Sequence, residues 1–163
     1  MIRRHTVLMN QLHTYREEVL SILKDVSAEQ AEIIPFGFRN NIRWHMGHIY
    51  LDQYLWIQSL TRDVIIDLSA YHSFFGFGTT PTDFNECTPS YEDLIGLLRD
   101  QPRVIEHHYG DILNREYQPI DMGMCTIEDV LIRTIFHEGI HMQTINMINR
   151  LIKEGSYDQY SKN

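Results

Sequence analysis

A chain of 163 residues, 43% hydrophobic and 22% charged, is long enough to bury a core without disulfides or a structural metal, and its length fits one domain spanning 1–163. Its formal charge is −8, with 14 Lys and Arg against 22 Asp and Glu. A phosphate backbone or an anionic lipid surface would repel it, so neither nucleic acid nor a membrane is expected as partner.

The N-terminal stretch "MIRRHTVLMNQLHTYREEVL" lacks the apolar run of a signal peptide, and no window reaches transmembrane length, which predicts a cytoplasmic location. The two cysteines, Cys87 and Cys125, lie in loop-like stretches and are expected as free thiols in a reducing compartment.

The periodicity is helical nearly throughout. A first helix is predicted over residues 5–26, with Val7, Leu8, Leu12, Tyr15, Val19, Leu20, Ile22 and Leu23 recurring at steps of three and four. The run "SAEQAEIIPFGF" breaks it. Asn40 or Asn41 can cap a second helix to about residue 62, and Ser90, followed by acidic residues, opens a third. Thr126 opens a fourth in the same way, which should persist to about Glu154, where Gly155 ends it. Between helices 2 and 3, residues 63–89 have no sustained period and many Gly, Thr and Pro, which predicts a long crossover connection. Within it, Phe74, Phe75 and Phe77 are expected to cover the end of the helices, and "FGFGTTP" lacks the lysine and hydroxyl of a phosphate-binding loop.

The fourth helix contains "HEGIH", residues 137–141, the H-E-x-x-H pattern of zinc proteases. At 100° per residue, His137 and His141 fall with Ile127, Val130, Thr134, Ile145, Ile148 and Ile152 in a sector of about 80°, an inward seam. On helix 2, Trp44, His48, Leu51 and Leu55 form a second stripe with Asn41 at its edge, whereas His45 lies about 60° further round. His48, His137 and His141 thus aim into one interior. A divalent ion held by three neutral imidazoles satisfies one nitrogen of each, where an unpaired buried polar group would cost roughly 1–3 kcal/mol. One such ion per chain is expected: zinc or nickel first, with iron and manganese also compatible with imidazole.

The protease reading fails on context. Thr144 and Met147 stand where the extended motif needs a glycine and a third histidine. Glu154 lies about 20 Å further along the helix and on another face. A di-iron carboxylate site needs two Glu-x-x-His pairs, and Glu138 with His141 is one pair without a second. Glu138 is read as a solvated or capping residue, with an outer-sphere or acid–base role left open. Tyr50, Asp52 and Gln53 are candidates near the site, Asp52 standing one turn after His48. His5, His13, His107 and His108 are read as surface or helix-edge residues, and the same holds for His72 unless the crossover folds over the site.

"FRNNIRWHMGHI" followed by "HEGIH" resembles the DinB/YfiT-like superfamily, in particular the branch with an Asn-x-x-Trp-x-x-Gly-His element. The resemblance runs from the first helix to about residue 152 and rests on the order and spacing of His48, His137 and His141. It implies an all-α four-helix bundle of up-down-down-up topology, a three-histidine divalent metal site and homodimers. Many members continue after the second histidine of the pair as Arg-Gly-Gln-Ile, where this chain has Met142, Gln143 and Thr144.

Similar proteins include thiol-dependent S-transferases using bacillithiol or mycothiol, thiol-dependent isomerases and metal-dependent hydrolases. The resemblance therefore implies a small-molecule substrate and a low-molecular-weight thiol activated at the metal. A hydrolase of a small substrate and a non-catalytic metal-binding stress-response module are the alternatives. Ile132, Phe136, Ile140 and Met147 lie away from the metal-facing seam of helix 4 and predict a homodimer packed partly through it.

Overall fold

The computed structural model describes residues 2–155, and among these it is all-helical, with no strand. Four long helices are α1 (Arg3–Leu23), α3 (Ile42–Thr61), α5 (Tyr91–Tyr109) and α6 (Ile127–Lys153). Two short ones are α2 (Ala28–Ala31) and α4 (Ser69–Phe75). The long helices close a ring of contacts: α1 packs against α5 and α6, and α3 packs against the same two.

The helix starts follow the sequence signals. Asn41 accepts the Trp44 N–H through its side chain at the start of α3. Ser90 and Thr126 form capping boxes with Asp93 and Asp129 before α5 and α6. Each cap satisfies donors that the first helical turn leaves orphaned.

Three expectations need correction. The connection over residues 63–89 carries, beyond the four helices expected, α4 and a 3-10 turn over Pro81–Asp83, both too short to leave a period in the sequence. The break after helix 1 likewise contains α2, capped by Ser27.

The third concerns Leu55, which is 38% exposed. Helix α3 buries two faces: Met46, Ile49, Gln53, Ile57 and Leu60 along its length, and the Trp44–His48–Leu51 stripe in its first half. Leu55 continues that stripe in the second half of α3, where it is exposed. Val7 and Tyr15 of α1 are also exposed, at 48% and 38%. In the crossover, Phe74 and Phe75 are buried as expected, while Phe77 stands almost wholly in solvent.

Helix α5 contains Pro102, buried within it. A proline has no N–H for the carbonyl four residues back, here that of Leu98. The freed carbonyl is taken by Arg16 of α1, whose Nη1 donates to it at 2.6 Å. Arg16 is itself buried and pairs with Glu138 of α6 through two bonds, Nε to Oε1 at 2.6 Å and Nη2 to Oε2 at 3.1 Å. It also reaches Gln53 Oε1 of α3 at 3.2 Å, and Gln53 donates onward to Thr134. One guanidinium therefore has partners on all three of the other long helices, its five donors well used.

Candidate metal centre

The Asn-x-x-Trp-x-x-Gly-His element of α3 is a set of coupled local requirements. Asn41 fixes where the helix begins. One turn on, the Trp44 indole lies parallel to the His48 ring, with centroids 4.7 Å apart, and edge-on to His45 at 5.3 Å. Its Nε1–H is anchored on Thr79 Oγ1 at 2.9 Å, and that hydroxyl is shared between the carbonyls of Phe74 and Gly76. Gly47 leaves room for Phe75: a Cβ there would lie 2.3 Å from its ring. With Phe75 seated on Gly47, its backbone carbonyl accepts the Nδ1–H of His48 at 2.7 Å.

His48 of α3 and His137 and His141 of α6 come together as the sequence predicts. Each offers a ring nitrogen, and these lie within 4.8 Å of one another. The Nε2 atoms of His137 and His141 are 3.2 Å apart, a separation that two ligands of one ion take up when metal–nitrogen bonds are about 2.0–2.1 Å long.

The other ring nitrogen of each histidine is already engaged. His48 Nδ1 meets the Phe75 carbonyl. His137 Nδ1 meets Asp52 Oδ2 at 3.0 Å, and His141 Nδ1 meets His45 Nδ1 at 2.8 Å. Outer hydrogen bonds of this kind fix the tautomer and aim of a metal-binding imidazole. The donor set, three imidazole nitrogens, fits zinc, nickel, iron or manganese. His48 is buried while His137 and His141 are half-buried, so solvent reaches part of the trio.

Burial sets the protonation of the group. It lowers the pKa of His48, against the opposing pull of the Phe75 carbonyl and Asp52. Burial, then the charges of His48, His45 and His137, pushes His141 down to about 2. Burial and the charge of His48 push His45 down to about 4. All three are therefore neutral at pH 7, the state a ligand or a hydrogen-bond acceptor needs.

Asp52 accepts from Trp56 Nε1 at 3.1 Å and pairs with Arg133, whose guanidinium lies 4.4 Å over the Trp56 ring. Burial raises the Asp52 pKa, but the hydrogen bond and charge of His137 and the charge of Arg133 outweigh it, so the net shift is downward.

The other candidates sort as follows. Asp52 is at the site; Tyr50 and Gln53 are buried elsewhere, Tyr50 against Tyr54 and Tyr71, and Gln53 on Arg16 and Thr134. Glu138 is neither solvated nor a cap but 3% exposed, and the reason is the Arg16 charge it faces inside the protein. His5 is also buried, paired with Glu128. His72 lies exposed on α4, outside the trio, and His13, His107 and His108 lie at the surface.

Sequence reasoning missed His45 as a participant. Its 60° offset from the stripe was legible, but α6 packs so closely that an imbedded ring at that angle still touches His141. The signal available was the pattern Trp-His-x-Gly-His itself.

No helix among the described residues is long and apolar enough to cross a membrane. Cys87 and Cys125 are free thiols, as expected, and neither belongs to the histidine group. Comparison with curated proteins gives no match. A family model for the DinB superfamily matches residues 11–145, which include the α3 element and all three histidines. With the match covering most of its length, the chain belongs to the DinB superfamily.

Proposed function

We propose that the protein is a metal-dependent S-transferase. It holds one divalent ion, zinc or nickel in first place, on His48, His137 and His141, and couples a low-molecular-weight thiol to a small electrophile. The long helices are read as a four-helix bundle of up-down-down-up topology, within one domain located in the cytoplasm.

The observation that carries the reading is a trio of convergent imidazoles, two of them only half-buried, whose neighbouring carboxylates are both committed. Asp52 is tied to His137, Arg133 and Trp56, and Glu138 to Arg16. When bound, the ion supplies a Lewis acid that lowers the pKa of whatever nucleophile occupies its open position. A thiol starts near 8.5 and needs little help, whereas water starts at about 15.7 and profits from a nearby base. With both carboxylates occupied, the arrangement favours the thiol. The chain's part is to hold the three nitrogens in place, with Trp44 stacked on His48 and the Phe75 carbonyl on the His48 Nδ1.

The test is a panel of thiols, bacillithiol, glutathione and cysteine, with a chromogenic electrophile on metal-loaded protein, run beside ester and amide substrates. Thiol conjugation that disappears on chelation is the expected result. Metal-dependent ester or amide turnover with no thiol requirement would establish the hydrolase instead, and silence across the panel with tight metal binding would leave a non-catalytic module.

A homodimer is proposed alongside. Ile132, Phe136, Ile140 and Met147 are all about half exposed or more on α6. Beside them Tyr15, Ile135, Phe136, Ile140 and Met142 line an apolar groove of about 630 Å³ between α1 and α6 that none of the three histidines enters. Such a face is costly to leave in water. Sedimentation equilibrium is expected to give twice the chain mass at micromolar concentration, and a Phe136→Glu variant is expected to run as monomer.

A further inference from the structure

We propose that His45 is the positioning residue of the metal centre: its Nδ1 accepts the Nδ1–H of His141, and so fixes the tautomer and ring angle that turn His141 Nε2 toward the ion. This rests on the three-histidine reading above. His45 is no ligand itself, since the group of mutually close ring nitrogens comprises His48, His137 and His141.

The geometry leaves His141 little else to rely on. His48 is held by a backbone carbonyl and His137 by a carboxylate, both pure acceptors. Each can receive only an Nδ1–H, so each frees Nε2. His141 faces another imidazole across 2.8 Å, and an imidazole nitrogen can either donate or accept. If His45 donated, His141 Nδ1 would be the acceptor and its Nε2 would carry the hydrogen, pointing at His137 Nε2 3.2 Å away. A protonated nitrogen cannot ligate. The site is therefore complete only with His45 accepting, its own hydrogen on Nε2. No charge changes between the two arrangements, only the nitrogens on which the two hydrogens sit.

The surroundings keep His45 where it can do this. It is 8% exposed, wedged edge-on against Trp44, which is pinned by Thr79. Its ring centroid lies 5.0 Å from that of His141. Trp44 thus sets two of the four imidazoles at once, His48 by stacking and His45 by its edge.

The experiment uses the full chain. In zinc-loaded wild type, long-range proton–nitrogen correlation spectra should show His141 protonated at Nδ1 and ligated through Nε2, with His45 bare at Nδ1 and protonated at Nε2. Zinc affinity, by competition with a chromophoric chelator, should fall about 10–100-fold in His45→Ala. It should largely return in His45→Asn, whose amide oxygen takes the place of Nδ1. Thermal midpoints of the metal-free variants separate a folding loss from a loss of affinity.

An unchanged zinc affinity in His45→Ala, or spectra showing His45 donating to His141 or itself binding zinc, would overturn the assignment. Wild type that binds no zinc would overturn the three-histidine reading on which it stands, an outcome distinct from both.

Discussion

Glu138→Ala should lower the stability of the metal-free protein by about 3–5 kcal/mol, the cost of stranding a buried charge. The stranded group is Arg16, 1% exposed, which would retain the Leu98 carbonyl and Gln53 but lose both bonds to a carboxylate. Urea unfolding followed by circular dichroism measures it. A midpoint equal to that of wild type, with activity lost, would mean that Glu138 carries protons in a reaction as the glutamate of an H-E-x-x-H protease does.

The double replacement Arg16→Met with Glu138→Leu should restore only part of the loss. Two apolar side chains remove the charge problem, but Pro102 leaves the Leu98 carbonyl without a donor once Arg16 is gone.

The second large effect concerns the ligands. His137→Ala with His141→Ala should abolish stoichiometric binding of a divalent ion, measured by elemental analysis of protein purified without an affinity tag. In wild type, an ion present at 1,000 times its dissociation constant adds about 4.1 kcal/mol of stability, and the variant should show none of it. Full metal occupancy in the double variant would sink the assignment of the centre.

The same variant should change the acid limb of stability. In the metal-free wild type, His45 is held down to about 4 and His141 to about 2, against an unfolded value near 6.5. As pH falls below about 6.5, the unfolded chain takes up protons that the folded protein refuses. Stability is therefore fully present above that pH and declines toward pH 4, where His45 stops contributing, while His141 continues to act below it. Removing His141 takes away a group whose folded-state pKa lies well below its unfolded value, so the variant should lose less stability between pH 7 and 5. Thermal midpoints across that range measure the difference.

Much of this was legible in the chain. Caps at Asn41, Ser90 and Thr126, and apolar residues at helical spacing, located the four long helices because local hydrogen bonding and one-dimensional periodicity decide them. His48, His137 and His141 were legible for the same reason: a helical count places each on a buried face.

What was not legible depends on partners far apart in sequence. Arg16 and Glu138 are 122 positions apart, and nothing local distinguishes a buried arginine from one that lays its stem on the core and its charge in water. Helix α4, with seven residues, is too short for a period. Its role in carrying the Phe75 carbonyl to His48 follows from the fit against Gly47, which only the packed structure displays. His45 was misplaced because a helical count gives the angle of a side chain and not how closely the next helix approaches.

The guanidinium of Arg16 also bears on how the chain assembles. Its partners sit on α3, α5 and α6, and the freed carbonyl on α5 has need of it in turn. An assembly of any three long helices that includes α1 keeps a desolvated cation short of at least one acceptor, and one that omits α1 leaves the Leu98 carbonyl and Glu138 without their donor. Such partial assemblies are disfavoured by the same interaction that completes the native one. The interaction thereby favours joint docking of the four helices, the same arrangement that brings the histidines on α3 and α6 together.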